Sequence, residues 1–256
     1  MSATPRLFIE ADLASGAEVS PGADQAHYLT RVMRLSIGAR VRLFNGRDGE
    51  FEAEIASAGK SDVSLIVAEL VREQRSPPDL WLLFAPLKKA RTDFLVEKAT
   101  ELGAAVLWPV FTTRTDADVV RTDRLSRIAM EAAEQTERLD VPHVRVGTAL
   151  TKALAGWDAA RPLFYADESG DEGGRPWGGE AGRAGPMAAV VRAAGSLRGA
   201  ILVGPEGGFS AEERAFLRSL PYVHPIGLGP RILRAETAAI AALTIWQSVA
   251  GDLAGG

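Results

Sequence analysis

Val203-Gly204-Pro205-Glu206-Gly207-Gly208-Phe209-Ser210 is the stretch on which the reading of the fold turns. The short apolar run Ile201-Leu202-Val203 before it reads as a buried strand, and Ser210-Ala211-Glu212-Glu213 after it is a capping box that starts a helix running to Leu220. A glycine turn between a strand and a capped helix is half of a parallel βαβ unit. In open sheets of that kind, ligands gather beyond the carboxyl ends of the strands, where glycines admit a close backbone approach and a helix start favours negative charge. Taken alone, the stretch reads equally as a tight turn with no ligand.

The flanking sequence repeats the alternation. Leu80 to Ala85 reads as a buried strand, Thr92 to Leu102 as a helix stopped by Gly103, and Val106 to Val110 as a second strand that Pro109 pushes toward an edge or a bend. Arg121 to Leu139 reads as a long helix, Leu163 to Ala166 as another strand, and Glu236 to Ala250 as an Ala-rich closing helix. The glycine-dominated segment from Gly170 to Gly185 is expected to loop out with weak order. Upstream of Arg75-Ser76-Pro77-Pro78, where two prolines suit a linker, the pattern changes. Alternating runs at Val41–Phe44, Phe51–Ile55 and Val63–Val67 are separated by Asn45-Gly46 and Asp48-Gly49, a strong hairpin cue, so this part reads as a small β-barrel or sandwich with one helix from Asp24 to Leu35.

At 256 residues, with 46% hydrophobic and 24% charged side chains, 26 Gly and 14 Pro, the chain is an ordinary globular sequence that needs no staples, which excludes whole-chain disorder, collagen and coiled coil. It has no cysteine, which excludes a disulfide framework, a thiolate metal site and a cysteine nucleophile, and makes the cytoplasm the expected compartment. The N-terminus reads as mature protein without a signal peptide, and no apolar run is long enough to span a bilayer. A net charge of −4 argues against coating nucleic acid along the whole surface and leaves room for a local basic patch.

One window answers that description. Arg31 to Arg47 contains no acid and holds Arg31, Arg34, Arg40, Arg42 and Arg47; Lys88, Lys89 and Arg91 add to it if they share its side. It reads either as a phosphate-contacting surface or as a solvated strand face. A second glycine turn, Ile226-Gly227-Leu228-Gly229-Pro230, leads through Arg231, Arg234 and Glu236 into the last helix. Glu236 there is either a proton acceptor or a first-turn acid suited to the helix dipole. His27, His143 and His224 have no helical partner for a metal site, and no serine-hydrolase elbow, P-loop or dinucleotide fingerprint is present.

The segment Val203 to Ser210 followed by Leu228-Gly-Pro-Arg-Ile-Leu-Arg-Ala-Glu-Thr-Ala238 resembles the paired signature of the 16S ribosomal RNA (uracil-N3)-methyltransferase family. Arg6-Leu-Phe8, His27 to Leu35, Phe44-Asn-Gly46, Lys98 to Gly103 and Glu131 to Gln135 agree in order, so the resemblance spans nearly the whole chain. It implies an α/β fold in two domains: a PUA-like RNA-binding β-barrel over residues 1–74, and a SPOUT methyltransferase domain over 77–252 with a mainly parallel sheet and a deep C-terminal trefoil knot. Knots are rare enough that chain physics alone would not suggest one.

The same resemblance implies S-adenosyl-L-methionine as cofactor, and uracil N3 of a uridine in the decoding region of 16S rRNA, within the small ribosomal subunit, as methyl acceptor. It also implies a homodimer, with no metal and no membrane. Carried onto this sequence, the cofactor residues are Leu202, Gly204, Pro205, Glu206, Gly207, Gly208, Ile226, Leu228, Gly229, Arg231, Ile232 and Leu233, with the turn after Tyr165 as a third contributor. Arg234 is assigned to charge stabilisation and Glu236 to proton removal, and Arg6, His27, Arg31, Arg34, Lys88 and Lys89 to RNA. Two alternatives stay open: a related enzyme modifying another RNA, for instance at a ribose 2′-hydroxyl, and a non-catalytic RNA-binding assembly factor.

Overall fold

The structure is a computed structural model that describes residues 4–59, 63–117, 119–167 and 184–254. The glycine-rich segment expected to be weakly ordered lies outside the described residues, apart from Ala184 and Gly185. The chain divides into two compact units: Met1–Ser76 with Met130–Val141, and Pro77–Ala129 with Pro142–Gly256. The first unit gives way to the second between Ser76 and Pro77, and residues 130–141 join the first unit, which no composition shift announces.

In the first unit, β1 (Arg6–Phe8), β2 (Glu18–Val19), β3 (Arg40–Phe44), β4 (Glu50–Ala58) and β5 (Val63–Arg72) form a sheet in the order β1-β3-β4-β5-β2. All pairings are antiparallel except β1 with β3. Period-2 alternation puts Val41 and Leu43, Ala53 and Ile55, and Leu65 and Val67 on one face, where they pack with Leu7, Leu13 and Leu29. Each fully buried Val, Leu or Ile side chain contributes roughly 1.5–3 kcal/mol. The helix expected over 24–35 is shorter and irregular. α1 (Ala23–His27) runs into a wide π turn, Tyr28–Val32, closed by Met33 N–H donating to the Tyr28 carbonyl at 2.9 Å, and Arg34 at φ +55° ends it.

Arg6 ties this unit together. Its Nε donates to Glu50 Oε1 at 2.5 Å, Nη1 to the Ala133 and Glu134 carbonyls at 3.0 Å, and Nη2 to the Arg138 carbonyl at 2.7 Å. These carbonyls lie at the end of α3 (Thr122–Gln135) and just beyond it, where a cation suits the helix dipole. That helix was expected to run to Leu139; Glu137 at φ +60° stops it sooner. Burial alone would raise the Glu50 carboxyl, but hydrogen bonds from Arg72 and Arg6 outweigh it and hold it below the ordinary carboxylate value.

The second unit contains β6 (Asp79–Phe84), α2 (Lys89–Glu101), β7 (Val106–Phe111), β8 (His143–Val144), β9 (Thr148–Ala149), α4 (Leu150–Leu154), β10 (Leu163–Ala166), α5 (Met187–Ala194), β11 (Arg198–Val203), α6 (Ala211–Ser219), β12 (Val223–Ile226) and α7 (Ala235–Ala250), together with the first part of α3. Its sheet runs β12-β10-β11-β6-β7-β8, with β9 also on β7, and every pairing is parallel. The apolar runs read as strands are its buried centre: Leu80, Leu82, Leu83 and Phe84 in β6, and Ala200, Ile201 and Leu202 in β11, are fully buried. Pro109 does not mark an edge strand. It pairs with Phe84 on one side, while on the other β8 covers only Val106–Leu107 and β9 only Val110–Phe111, so the missing N–H falls in the gap between two short partners. The direction of chain progression across the sheet reverses between β6 and β11, the place where α/β sheets open a crevice.

Candidate cofactor-binding site

Three parallel strands, β10, β11 and β12, end on one cavity of about 400 Å³, within the usual range of roughly 300–1,000 Å³ for small-molecule sites. Its floor is the strand ends, Ala166–Asp167, Val203–Gly204 and Ile226–Gly227. The turn after β11 closes one side, and its shape follows from the capping box read in the sequence. Ser210 Oγ accepts from Glu213 N–H at 3.2 Å, and Glu213 Oε2 accepts from Ser210 N–H at 2.9 Å. Glu213 Oε1 also accepts from Thr113 N–H at 2.7 Å, which fixes the neighbouring loop.

The turn after β12 closes the other side. Gly227 N–H donates to the Gly185 carbonyl at 2.9 Å and its carbonyl accepts from Met187 N–H at 3.1 Å; a Cβ on Gly227 would stand 2.5 Å from the Ala184 carbonyl oxygen. Only glycine fits that approach. Gly229, at φ +101° on the lining, has nothing within 4 Å of its would-be Cβ, so the turn leaves open space there.

The lining is chemically two-sided. Val203, Phe209, Ile226, Leu228, Leu233 and Ala238 are apolar walls, while Asp167, Glu206, Arg214, Arg231 and Arg234 bring charge. Asp167 is buried and accepts from Tyr165 Oη at 2.8 Å and Arg218 Nη2 at 2.7 Å, with Arg214 Nε 3.2 Å from its other oxygen. Burial, reinforced by that carboxylate and opposed by Arg218, pushes the Tyr165 hydroxyl up to about 12, so it stays a donor at any physiological pH. Apolar walls for a flat ring, glycine amides at close range and charged groups at the ends suit a molecule such as S-adenosyl-L-methionine, with its adenosine and zwitterionic tail.

A link absent from the sequence reading sits beside the cavity. Arg91, in the first turn of α2, donates to Glu206 Oε1 at 3.1 Å and lies 3.7 Å from Glu236 Oε1. The Glu236 side chain is 13% exposed, and its Oε2 is buried without a hydrogen-bond partner among the described residues.

Comparison with known proteins agrees with this geometry. Residues 74–247 match the model of an RNA methyltransferase domain and residues 21–68 that of an RNA methyltransferase PUA domain. The ribosomal RNA small subunit methyltransferase E of Rickettsia conorii is 32% identical over 93% of this chain and 93% of its own length. The chain belongs to the ribosomal RNA small subunit methyltransferase E family. The Bacillus subtilis member is 30% identical over 93% of this chain and 94% of its own. A putative methyltransferase from Legionella pneumophila, solved in complex with the bound cofactor SAM, superposes with a TM-score of 0.82 at 26% identity, covering 97% of this chain and 99% of that one.

In this chain, Gly204, Pro205, Glu206, Gly208, Ile226, Leu228, Gly229, Arg231, Ile232, Leu233 and Arg234 line the cavity together. Leu202 and Gly207 do not: Leu202 is fully buried in the sheet core, and Gly207 turns its carbonyl to Arg114 Nη1 at 2.7 Å. Glu236 stands behind the lining, in the first turn of α7, with Arg91. Ala166 and Asp167, just after Tyr165, also line the cavity, while the turn that follows them lies outside the described residues. Phe209, at the end of the glycine stretch, and Arg214, in the first turns of α6, also line the cavity and are not among the residues expected there; Arg91, read only as a basic residue, is brought beside it by the packing of α2.

The residues expected to meet RNA separate into two kinds. Arg6 offers no free guanidinium to a ligand: its side chain is 10% exposed and every donor nitrogen is engaged inside the first unit. His27, Arg31 and Arg34 are exposed on the π turn and its flanks, and Lys88 and Lys89 are exposed at the start of α2. Within the arginine window, Arg40 and Arg42 pair with Glu52, and Arg47 pairs with Asp12. Among the described residues no group of His, Cys, Asp and Glu could hold a metal ion, and no helix is long and apolar enough to cross a membrane.

Proposed function

We propose that this chain transfers the methyl group of S-adenosyl-L-methionine to N3 of a uridine in 16S rRNA of the small ribosomal subunit. The observation that carries the reading is the glycine-turn cavity at the ends of three parallel strands, in a chain related along nearly its full length to ribosomal RNA small subunit methyltransferase E proteins. S-adenosyl-L-methionine, when bound, supplies a methyl group on a positively charged sulfur. When it is bound, the glycine turns would offer backbone groups to adenine and ribose, the apolar walls would exclude water, and Asp167 with Arg214 and Arg231 would hold the charged tail.

Uracil N3 is a weak nucleophile until its imide proton leaves, and the negative charge then spreads to the flanking carbonyl oxygens. Glu236 is assigned as the acceptor of that proton at Oε2, the oxygen with no hydrogen-bond partner among the described residues. Arg234, exposed at the N-cap of α7 and lining the cavity, is assigned to the developing oxyanion. Holding the acceptor in line with the methyl group supplies the remaining advantage. Arg31, Arg34 and His27 on the PUA unit, with Lys88 and Lys89, are assigned to RNA backbone contacts.

The reading extends to the family's architecture: closure of the N-terminal sheet into a barrel, threading of the C-terminal segment into a trefoil knot, a homodimer, and a cytoplasmic location. The pinning of the β12 turn against residues 184–187 suits a threaded segment, and the Ala-rich α7 suits close helix packing against a second copy.

The test is incubation with labelled S-adenosyl-L-methionine and small subunits that lack the mark, followed by nucleoside analysis. Labelled N3-methyluridine is expected. Label in another nucleoside, or cofactor binding without transfer to any subunit or RNA, overturns the assignment.

A further inference from the structure

The glycine turn that walls the cofactor cavity is gripped from outside by the loop that follows β7. Residues 112–115 of that loop close on themselves: Thr115 N–H donates to the Thr112 carbonyl at 3.1 Å, Thr112 N–H donates to Thr115 Oγ1 at 3.0 Å, and the two threonine hydroxyls lie 2.9 Å apart. The stiffened loop reaches the turn at two places. Thr113 donates through its N–H at 2.7 Å and its Oγ1 at 3.1 Å to Glu213 Oε1, the carboxylate whose other oxygen completes the capping box with Ser210. Arg114 donates through Nη1 to the Gly207 carbonyl at 2.7 Å, and its stem lies along Gly207, where a Cβ would stand 3.5 Å from Arg114 Cδ and 3.6 Å from its Cβ. Arg114 is exposed, lies outside the cavity lining and forms no ion pair among the described residues. Its contact fixes one peptide group. Gly208 N–H donates to the Pro205 carbonyl at 2.9 Å, and the carbonyl of the same Gly207–Gly208 peptide is the one that Arg114 holds. No other hydrogen bond reaches that carbonyl among the described residues. A peptide between two glycines turns with little steric resistance, because neither flank carries a Cβ. Gly208, at φ +66°, lines the cavity, so rotation of this peptide changes the wall that a ligand meets.

We infer that Arg114 is a positioning residue of the cofactor site: it holds the Gly207–Gly208 peptide, and with it the cavity wall, in the orientation that takes S-adenosyl-L-methionine, without itself touching the cofactor. The inference rests on the reading of this cavity as the S-adenosyl-L-methionine site. A wall set in advance lowers the cost of binding, so Arg114 acts on cofactor affinity and not on the transfer step. Restricting the same peptide by other means therefore replaces part of its effect. Gly207 is not at positive φ and its would-be Cβ meets only ordinary van der Waals contacts, so an alanine fits there and removes chain freedom.

The test uses the full chain with Arg114→Met, which keeps the stem over Gly207 and removes the donor, beside Arg114→Lys and the double variant R114M/G207A. Calorimetric S-adenosyl-L-methionine binding is expected to weaken at least about tenfold in R114M, the loss of one hydrogen bond from a charged donor, with kcat at saturating cofactor within about twofold of the wild type. R114K should keep most of the affinity, and R114M/G207A should regain part of it. Exchange of the Gly208 amide hydrogen, followed without cofactor, should quicken at least about tenfold in R114M while the melting temperature of the cofactor-free chain stays the same. A fall in kcat with affinity unchanged, a loss of affinity that tracks a loss of melting temperature, unchanged Gly208 exchange, or R114M/G207A binding no better than R114M overturns the inference. A wild type that binds no S-adenosyl-L-methionine overturns the functional reading along with it, whereas wild-type binding that R114M leaves intact overturns this inference alone.

Discussion

Two groups of arginines in the first unit, close in sequence and identical in charge, do different things. Arg6, Arg40, Arg42 and Arg47 spend their guanidinium groups on carboxylates of their own unit, Arg6 in a buried clamp and the others along strands and turns. Arg31 and Arg34 sit on an irregular helical turn, exposed and without a carboxylate partner among the described residues, beside exposed Val32 and Ile37. The second unit repeats the contrast: Arg161 is buried against Asp79, while Arg234 stands open on the cavity. A count of positive charge therefore does not locate a binding surface; the charge left unspent does.

That contrast can be broken most forcefully at the buried clamp. Arg6→Ala leaves Glu50 with one partner fewer in a dry site and should cost about 3 kcal/mol in chemical denaturation. RNA affinity per folded molecule should stay unchanged, and a selective loss of RNA binding with full stability would reverse the assignment. The pH dependence follows from the lowered Glu50 carboxyl. Its stabilising contribution is present above the ordinary carboxylate value and is lost as the pH falls through the lowered one, so Glu50→Gln should remove that portion of the acid limb of the stability curve.

At the open end of the contrast, Arg234→Ala should lower kcat by about 10²–10³ with S-adenosyl-L-methionine affinity kept within a few-fold, and Glu236→Gln should lower it by about 10²–10⁴. Steady-state methylation with calorimetry on the same samples reads both. Charge reversal of Arg31 and Arg34 together should weaken subunit binding roughly tenfold or more and flatten the log–log salt dependence by about 1.4–1.8, without a change in stability. The smallest effect is expected at Arg40→Ala, within about 0.5 kcal/mol in stability and without consequence for RNA binding. A loss of RNA affinity there would mean that paired arginines also serve the surface.

Much of this was legible in the sequence where local physics decides structure. The alternation of β3 to β5, the turn at Asn45-Gly46, the apolar runs of β6 and β11, the Ser210 capping box and the last helix follow from patterns a few residues long. β12 was not foreseen, because Val223-His224-Pro225-Ile226 carries a proline and a histidine and owes its strand character to pairing with β10. Nor was α5, which starts beside the glycine-rich segment. In the candidate site the two glycine turns were visible as motifs, whereas Leu202, next to them in sequence, faces the core, because alternation along a strand outweighs proximity to the turn. Arg91 reads in the sequence only as one more positive charge after β6. Its importance exists only once α2 is set beside the turns after β11 and β12.

The clamp at Arg6 also bears on the order in which the protein can be made. Its acceptors Ala133, Glu134 and Arg138, and the Glu134 carboxylate that receives Phe8 N–H at 3.0 Å, leave the ribosome only after residues 77–129, which belong to the other unit. Domains usually fold as they emerge, N-terminal first. Here the first unit stays unfinished, with Arg6 held by Glu50 alone, until more than half the chain has been synthesised, so its completion is timed by the unit that follows it.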